Sequence, residues 1–329
     1  MLKYNFFLCI FSKTIALLCI FFCCSILIFS KQNVGNSSFA YYKIEKGDNI
    51  QNITNDLCIK NIIDHCVLFS LWLVIFDKIF NKFIHYGVYD FSTNQNQSQV
   101  LLKLLNGDDI HHSVIIKPGL ANIEIKNILN NDKFLSGNID LSEISEGELY
   151  PDTYHFKYLE SRQNIINIMH KKSVDVLNEI WNEYIKDEDR ILKNKKDLLI
   201  LASIVEKEAG SLDEMPIIAA VFLNRLKKNM RLQSDPTVIY GMINEIGKYN
   251  PEYILKATDL RVYHEFNTYL IDGLPINAIC TPSQEAIRSI LKYKKNSKYL
   301  YFVATKSGKH LFSSTYKQHK INIKKIYGK

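Results

Sequence analysis

Apolar positions change their period several times along this chain. The run "TIALLCIFFCCSILIFS", residues 14–30, carries no charge and follows "YNFFLCIFS", separated from it only by Lys13. A membrane-spanning helix needs about 20 mostly apolar residues, and a lysine near its end can reach the headgroups. The run stays bulky to its end, with no small-residue cleavage site behind it. We therefore expect an uncleaved single-pass anchor in the inner (cytoplasmic) membrane. Lys3 and Lys13 would hold the N-terminus in the cytoplasm and leave the rest of the chain on the outer, periplasmic side. "KQNVGNSSFA" (31–40) reads as a polar linker.

Past the linker, Tyr42 and Ile44 alternate into a short strand closed by a Gly47-Asp48 turn. Ile50, Ile53 and Leu57 fall at helical spacing, and Asn61 ends that face. "HCVLFSLWLVIFDKIF" (65–80) is very apolar but too short to span before Asp77, so it predicts a buried helix. "GVYDFS" (87–92) predicts a closing strand. A helix through Val100, Leu101 and Leu104 should stop at Asn106-Gly107. "HHSVIIKPG" (111–119) predicts a strand ending in a Pro-Gly turn, and "LANIEIKNILNN" another helix. "EGELYPDTYHF" (146–156) mixes Gly, Pro and Asp with aromatics and predicts an ordered loop entering a short strand. Helices dominate from 161 to 230, and the C-terminal part adds short strands such as "YLYFVAT" (299–305). The fold class is α+β, in three segments: 1–40 as stub, anchor and linker, 41–110 as a small module, and 111–329 as a larger mixed α+β domain.

Composition narrows the function classes. With 329 residues, 47% of them hydrophobic, the chain is folded and long enough for more than one domain. A net charge of +7 is modest, and no block of like charge suggests a nucleic-acid arm. Of seven cysteines, Cys9, Cys19, Cys23 and Cys24 lie in the N-terminal apolar region, leaving Cys58, Cys66 and Cys280. That is no disulfide framework, although Cys58 and Cys66 could pair in an oxidising compartment. His111 and His112 read as a solvated loop pair, and no His/Cys cluster has metal-ligand spacing. No metal or organic cofactor is expected.

The chemistry is carried by "DLLILASIVEKEAG" (197–210). As a helix it makes one apolar stripe of Leu198, Leu201, Ala202, Val205 and Ala209, with Glu206 and Glu208 on its two opposite margins. Half-buried carboxyls of this kind can gain the raised pKa a general acid needs. They can equally be solvated helix glutamates beside Lys207, and helical geometry does not choose between the two. "SLDEMPIIAAVFLNRLKKNM" begins a second helix, with Asp213 or Ser211 as cap and Pro216 in its first turn. "RLQSDPTVIYG" (231–241) places Gln233, Ser234 and Asp235 in a polar turn, with Tyr240 just beyond. "FNTYLIDGLPINAICTP" (266–282) adds Asn267, Thr268 and Tyr269 near a Gly-Leu-Pro turn. Such groups suit carbohydrate hydroxyls and serve loop capping equally well.

"EGELYPDTYHF", "LASIVEKEAG", "AAVFLNRLKKNMRLQSDPTVIYG", "NTYLIDGLP" and "YLYFVAT", in this order and spacing, resemble the membrane-anchored endolytic murein transglycosylases of the YceG-like family. The resemblance covers most of 146–305. It implies a LysM-like βααβ unit after the anchor, and Glu206 as the catalytic acid and base with Glu208 in a supporting role. The substrate implied is the peptidoglycan glycan strand, cut at the MurNAc-GlcNAc β-1,4 bond to leave 1,6-anhydro-MurNAc ends. Gln233, Ser234, Asp235, Tyr240 and Asn267 are then candidates for holding the glycan. Cleavage beside the membrane would terminate strand elongation, in partnership with peptidoglycan synthases. Lys117, where the family often has an acidic residue, and "GLPINAICTPS", without a second Pro-Gly pair, depart from the pattern. Two alternatives stand beside this reading. One is a non-catalytic wall-binding scaffold. The other is a hydrolase of the same bond, with Asp235 or Glu208 activating water.

Overall fold

The computed structural model describes Cys24 and residues 41–91, 95–246, 252–293 and 296–328. The expected anchor and linker lie outside the residues described from Tyr41 onward. Among the described residues no helix is long and apolar enough to cross a membrane. The fold is mixed α+β. It divides into two compact units, one running to His112 and taking in Phe156–Tyr158, the other made of Ser113–His155 with Leu159–Lys329.

The first unit runs β1 (Tyr41–Ile44), α1 (Ile50–Ile59), α2 (Cys66–Phe80), β2 (Gly87–Asp90) and α3 (Gln97–Asn106). β1 and β2 are antiparallel, with Tyr41 opposite Asp90 and Ile44 opposite Gly87. The alternation read from the sequence sends Tyr42 and Ile44 inward. Asn49 caps α1 by accepting from the Asn52 amide at 2.8 Å. Gly107 ends α3 with a left-handed backbone, φ 70°. Cys58 and Cys66 form a disulfide between the end of α1 and the start of α2, with Cα atoms 5.9 Å apart.

Two expectations change here. α2 is not buried all round: Phe69, Trp72 and Leu73 enter the core, while Val67, Leu71 and Val74 are exposed. Two layers of structure cover a helix on one side only. Of the histidine pair, only His111 is exposed. His112 opens a strand and packs its ring 5.9 Å from that of Phe156.

The second unit contains β3 (His112–Ile115) and β5 (Thr153–Phe156) apart from His112 and Phe156, together with α4 (Asn122–Asn131), β4 (Leu135–Ser136), β6 (Glu160–Ser161) and α5 (Arg162–Tyr184). It continues through α6 (Lys195–Glu208), α7 (Met215–Lys227), α8 (Asp235–Ile246), α9 (Gln284–Leu291), β7 (Tyr301–Ala304), β8 (His310–Ser313) and α10 (Tyr316–Tyr327). Its strands pair two by two: β3 with β5, β4 parallel to β6, and β7 antiparallel to β8. α6 is the central helix, with every residue from Leu198 to Val205 buried. Leu201, Val205, Ile218, Phe222 and Ile287 join it to α7 and α9 in one core. Burying side chains of this kind contributes about 1.5–3 kcal/mol each, which holds the end of α6 rigid.

The caps differ from expectation at two helices. α7 is preceded by Glu214, not capped by Asp213 or Ser211, and Pro216 does lie in its first turn. The Glu214 carboxylate accepts instead from the His310 amide at 2.8 Å, and its other oxygen lies 2.9 Å from His310 Nδ1. "SDPTVIYG" is not simply a turn: Asp235 opens α8, with Pro236 in the first turn, where a missing amide hydrogen costs nothing.

Candidate active site

The last turn of α6 points its two glutamates in opposite directions, as the stripe requires. Glu206 Oε2 accepts from the Ser283 amide at 2.9 Å and the Ser283 hydroxyl at 2.5 Å. Ser283 is itself the N-cap of α9, its oxygen accepting from the Ala286 amide at 3.1 Å. The carboxylate therefore lies at the positive end of a helix. Both hydrogen bonds fall on Oε2, and among the described residues no protein donor reaches Oε1.

The floor around Glu206 is stitched from distant segments. Buried Ser203, one turn earlier on α6, accepts from the Ile279 amide at 3.1 Å and donates to the Ile200 carbonyl at 2.7 Å. The Cys280 thiol lies 3.4 Å from the Ser203 carbonyl, and burial pushes its pKa up. Thr281 and the Pro-Gly turn hold each other twice, through the Gly119 amide to the Thr281 carbonyl and the Thr281 amide to the Leu120 carbonyl, both 2.8 Å. Gly119 has φ +82°, and a Cβ there would lie 4.0 Å from Glu206 Cγ. Lys207 Nζ donates to the Gly119 carbonyl at 3.2 Å. Gly147 allows the 145–150 loop to press in, since a Cβ on it would meet Ala278 Cβ at 2.7 Å.

Glu208 occupies the other side. Its Oε1 accepts from the Ser234 hydroxyl at 2.6 Å. Burial pushes its pKa up to about 7; the charge of Asp235 adds to this, while the Ser234 bond and Arg225 oppose it. Arg225 is held nearby by its own bonds to the Leu300 and Leu232 carbonyls, at 2.7 and 2.6 Å.

The glycan-holding candidates divide by exposure. Gln233 and Asp235 are exposed. Gln233 has φ 49°, a left-handed backbone fixed by its amide bond to the Thr268 carbonyl at 3.1 Å. Asp235 accepts from the Tyr269 hydroxyl at 2.5 Å. Ser234 is buried, bonded through its amide to Thr268 Oγ1 at 2.9 Å and through its hydroxyl to Glu208. Asn267 differs most from the expectation of a glycan contact. It is fully buried, donates to the Leu260 and Val262 carbonyls at 3.2 and 2.7 Å, and accepts from the Tyr269 amide at 3.0 Å. An amide so engaged staples its own loop.

Tyr240 leads to a residue that sequence reasoning missed. Its hydroxyl donates to Glu146 Oε2 at 2.8 Å, and its ring meets Phe266 edge-on at 4.9 Å. Glu146 Oε1 accepts from the Asn122 amide, also at 2.8 Å, at the start of α4. Burial raises the pKa of Glu146 against the pull of these bonds. Glu146 thus ties "EGELYP", α4 and α8 together beside the site. Its one sequence signal was its place in a Gly-Pro-aromatic loop.

Several known proteins share this arrangement of sequence. The model of the YceG-like family matches residues 42–325. A Bacillus subtilis (strain 168) protein named endolytic murein transglycosylase is 34% identical over 197 residues, covering 60% of this chain and 51% of that protein. A Streptococcus pneumoniae (strain ATCC BAA-255 / R6) protein of the same name is 31% identical over 182 residues, covering 54% of this chain and 31% of that protein. The chain thus spans about half the length, or less, of these relatives. A crystal structure of a yceG-like protein from Listeria monocytogenes is similar at a TM-score of 0.53 and 29% identity, over 86% of this chain and 98% of that one.

Proposed function

Since this chain belongs to the YceG-like family, we propose that it is an endolytic murein transglycosylase that cuts glycan strands with Glu206 as its acid and base. The observation that carries this reading is the asymmetry of the Glu206 carboxyl. Oε2 is held by two donors from Ser283, and among the described residues no donor reaches Oε1. A carboxyl fixed on one side presents one oxygen in one direction, which is what a proton shuttle needs.

In the proposed reaction, protonated Glu206 gives its Oε1 proton to the oxygen between MurNAc and GlcNAc. The C1–O bond breaks, and the electron pair leaves with GlcNAc O4. The 6-hydroxyl of MurNAc then bonds to the positively charged C1 and returns its proton to Glu206 Oε1. The ring closes as a 1,6-anhydro end, and the enzyme is restored. No water enters at the sugar, so one carboxyl serves both steps, where a hydrolase needs a second. Burial pushes the Glu208 pKa up to about 7, but its Oε1 is engaged by the Ser234 hydroxyl. We assign it to support of the 232–237 segment. We assign contact with sugar hydroxyls to exposed Gln233 and Asp235.

The finer reading follows the sequence. The apolar run 14–30 anchors the chain in the membrane with its catalytic unit outside, and the βααβ order of the first unit supports a LysM-like module. Cleavage there terminates nascent strands beside peptidoglycan synthases. The test is product mass: glycan strands incubated with the chain should yield new internal anhydro-MurNAc ends. Reducing ends would indicate a hydrolase, and intact strands a binding protein.

A further inference from the structure

Two neighbouring residues far along the chain hold three consecutive residues beside Glu208. The Thr268 carbonyl accepts from the Gln233 amide at 3.1 Å, Thr268 Oγ1 accepts from the Ser234 amide at 2.9 Å, and the Tyr269 hydroxyl donates to Asp235 Oδ1 at 2.5 Å. Ser234 is buried between exposed Gln233 and Asp235. Its hydroxyl donates to Glu208, and its carbonyl accepts from the Thr237 hydroxyl at 2.7 Å. Thr237 Oγ1 also lies 2.8 Å from Thr268 Oγ1. A hydroxyl has one proton. That of Thr237 goes to the Ser234 carbonyl, from which Thr268 Oγ1 stands off at 3.5 Å, so Thr268 donates to Thr237. The bonds close a ring: Ser234 amide to Thr268, Thr268 to Thr237, Thr237 to the Ser234 carbonyl. Both threonines are fully buried, where a hydrogen bond is stronger than in water.

The ring secures a backbone that its sequence does not favour. Five non-glycine residues have positive φ among the described residues: Asn61, Asn81, Leu159, Asn229 and Gln233. Asparagine visits this region readily, and glutamine does not. At φ 49° Gln233 is strained where glycine would be at ease. A turn that served the fold alone would be easier with glycine. Strain held in place by rigid surroundings points to a side chain that has to be presented there. Gln233 presents an exposed amide, which donates and accepts at once, and Asp235 an exposed carboxylate two residues on, at the start of α8. Those are groups that match neighbouring sugar hydroxyls.

We propose that Thr268, through its hydroxyl ring with Thr237, is a positioning residue that holds Gln233 and Asp235 in the geometry that binds the glycan strand. The inference rests on the glycan-cutting reading above, and experiment separates the two. Cleavage kinetics on glycan strands are measured for the full chain, and binding of fluorescently labelled strands is measured in the Glu206→Gln background. Thr268→Val keeps the shape and removes the hydroxyl. It should weaken strand binding and raise KM about five- to tenfold, with kcat falling less than about threefold. Thr268→Ser restores the hydroxyl and should bring KM back to within about twofold of the parent value, although its lost methyl lowers the urea midpoint. Gln233→Gly relieves the strain and should raise KM about fivefold while the urea midpoint holds or rises. KM and stability thus part in opposite directions in these two variants, which a structural role alone would not produce. A parent-like KM in folded Thr268→Val, or a KM in Thr268→Ser as high as in Thr268→Val, overturns the proposal and leaves the cleavage reading standing. Should Thr268→Val fail to fold, Gln233→Gly decides, and a parent-like KM there overturns the proposal. A parent chain that cuts no strand, while Thr268→Val and Gln233→Gly weaken strand binding in the Glu206→Gln background, overturns the cleavage reading and keeps the positioning role. A chain that neither cuts nor binds strands overturns both.

Discussion

Ser283 donates to Glu206 Oε2 twice, from its amide and from its hydroxyl, while the same hydroxyl caps α9. One residue thus fixes both the Glu206 carboxyl and the helix end facing it. Ser283→Ala removes the hydroxyl and keeps the amide. Losing a cap costs about 1 kcal/mol, and losing a bond to a charged group about as much again. The variant should unfold about 1–2 kcal/mol more easily in urea and turn over roughly tenfold more slowly, since tenfold is about 1.4 kcal/mol of barrier.

Glu208 gives a pH signature. Its carboxyl keeps a proton up to about pH 7 in the folded chain, against 4.5 when free. The folded state binds that proton more tightly than the unfolded one. The stability it contributes is therefore complete below 4.5 and lost as pH rises toward 7. The loss amounts to about 3 kcal/mol at most. Glu208→Gln should flatten this slope and leave the variant more stable than the parent at about pH 8, as denaturant midpoints would record.

Tyr240→Phe takes one of two strong donors from the half-buried Glu146 carboxylate. A buried acceptor left short costs about 1–3 kcal/mol. Most of that loss should vanish in the background of Glu146→Gln, because the two residues act as a pair. Independent effects in the double-mutant cycle would return Tyr240 to a direct glycan contact.

Asn267→Ala should behave as a core lesion. Loss of its buried bonds predicts about 2–4 kcal/mol of destabilisation. The KM for glycan should be unchanged in the folded fraction. A raised KM with full stability would place the amide in the glycan site after all.

Much of the fold was legible because short-range periodicity decides it. The stripe of α6 set Glu206 and Glu208 on opposite margins, and the structure keeps them there. The partners of those glutamates were not legible. Ser283 is 77 residues from Glu206, and Glu146 is 94 from Tyr240, distances that only tertiary closure brings together. Asn267 looked like sugar-binding composition, since a sequence does not show which way a loop folds an amide. The outer face of α2 was hidden for a related reason. A helix apolar on every side carries no mark of which side the core will cover.

The central claim is that Oε1 of Glu206 moves the proton. Glu206→Gln keeps the size and the Ser283 contacts but offers no acid. Digestion of glycan strands, with products identified by mass, should show anhydro-MurNAc release reduced by about 100-fold or more, with the denaturant midpoint unchanged. Full release of anhydro ends by folded Glu206→Gln protein would contradict the account.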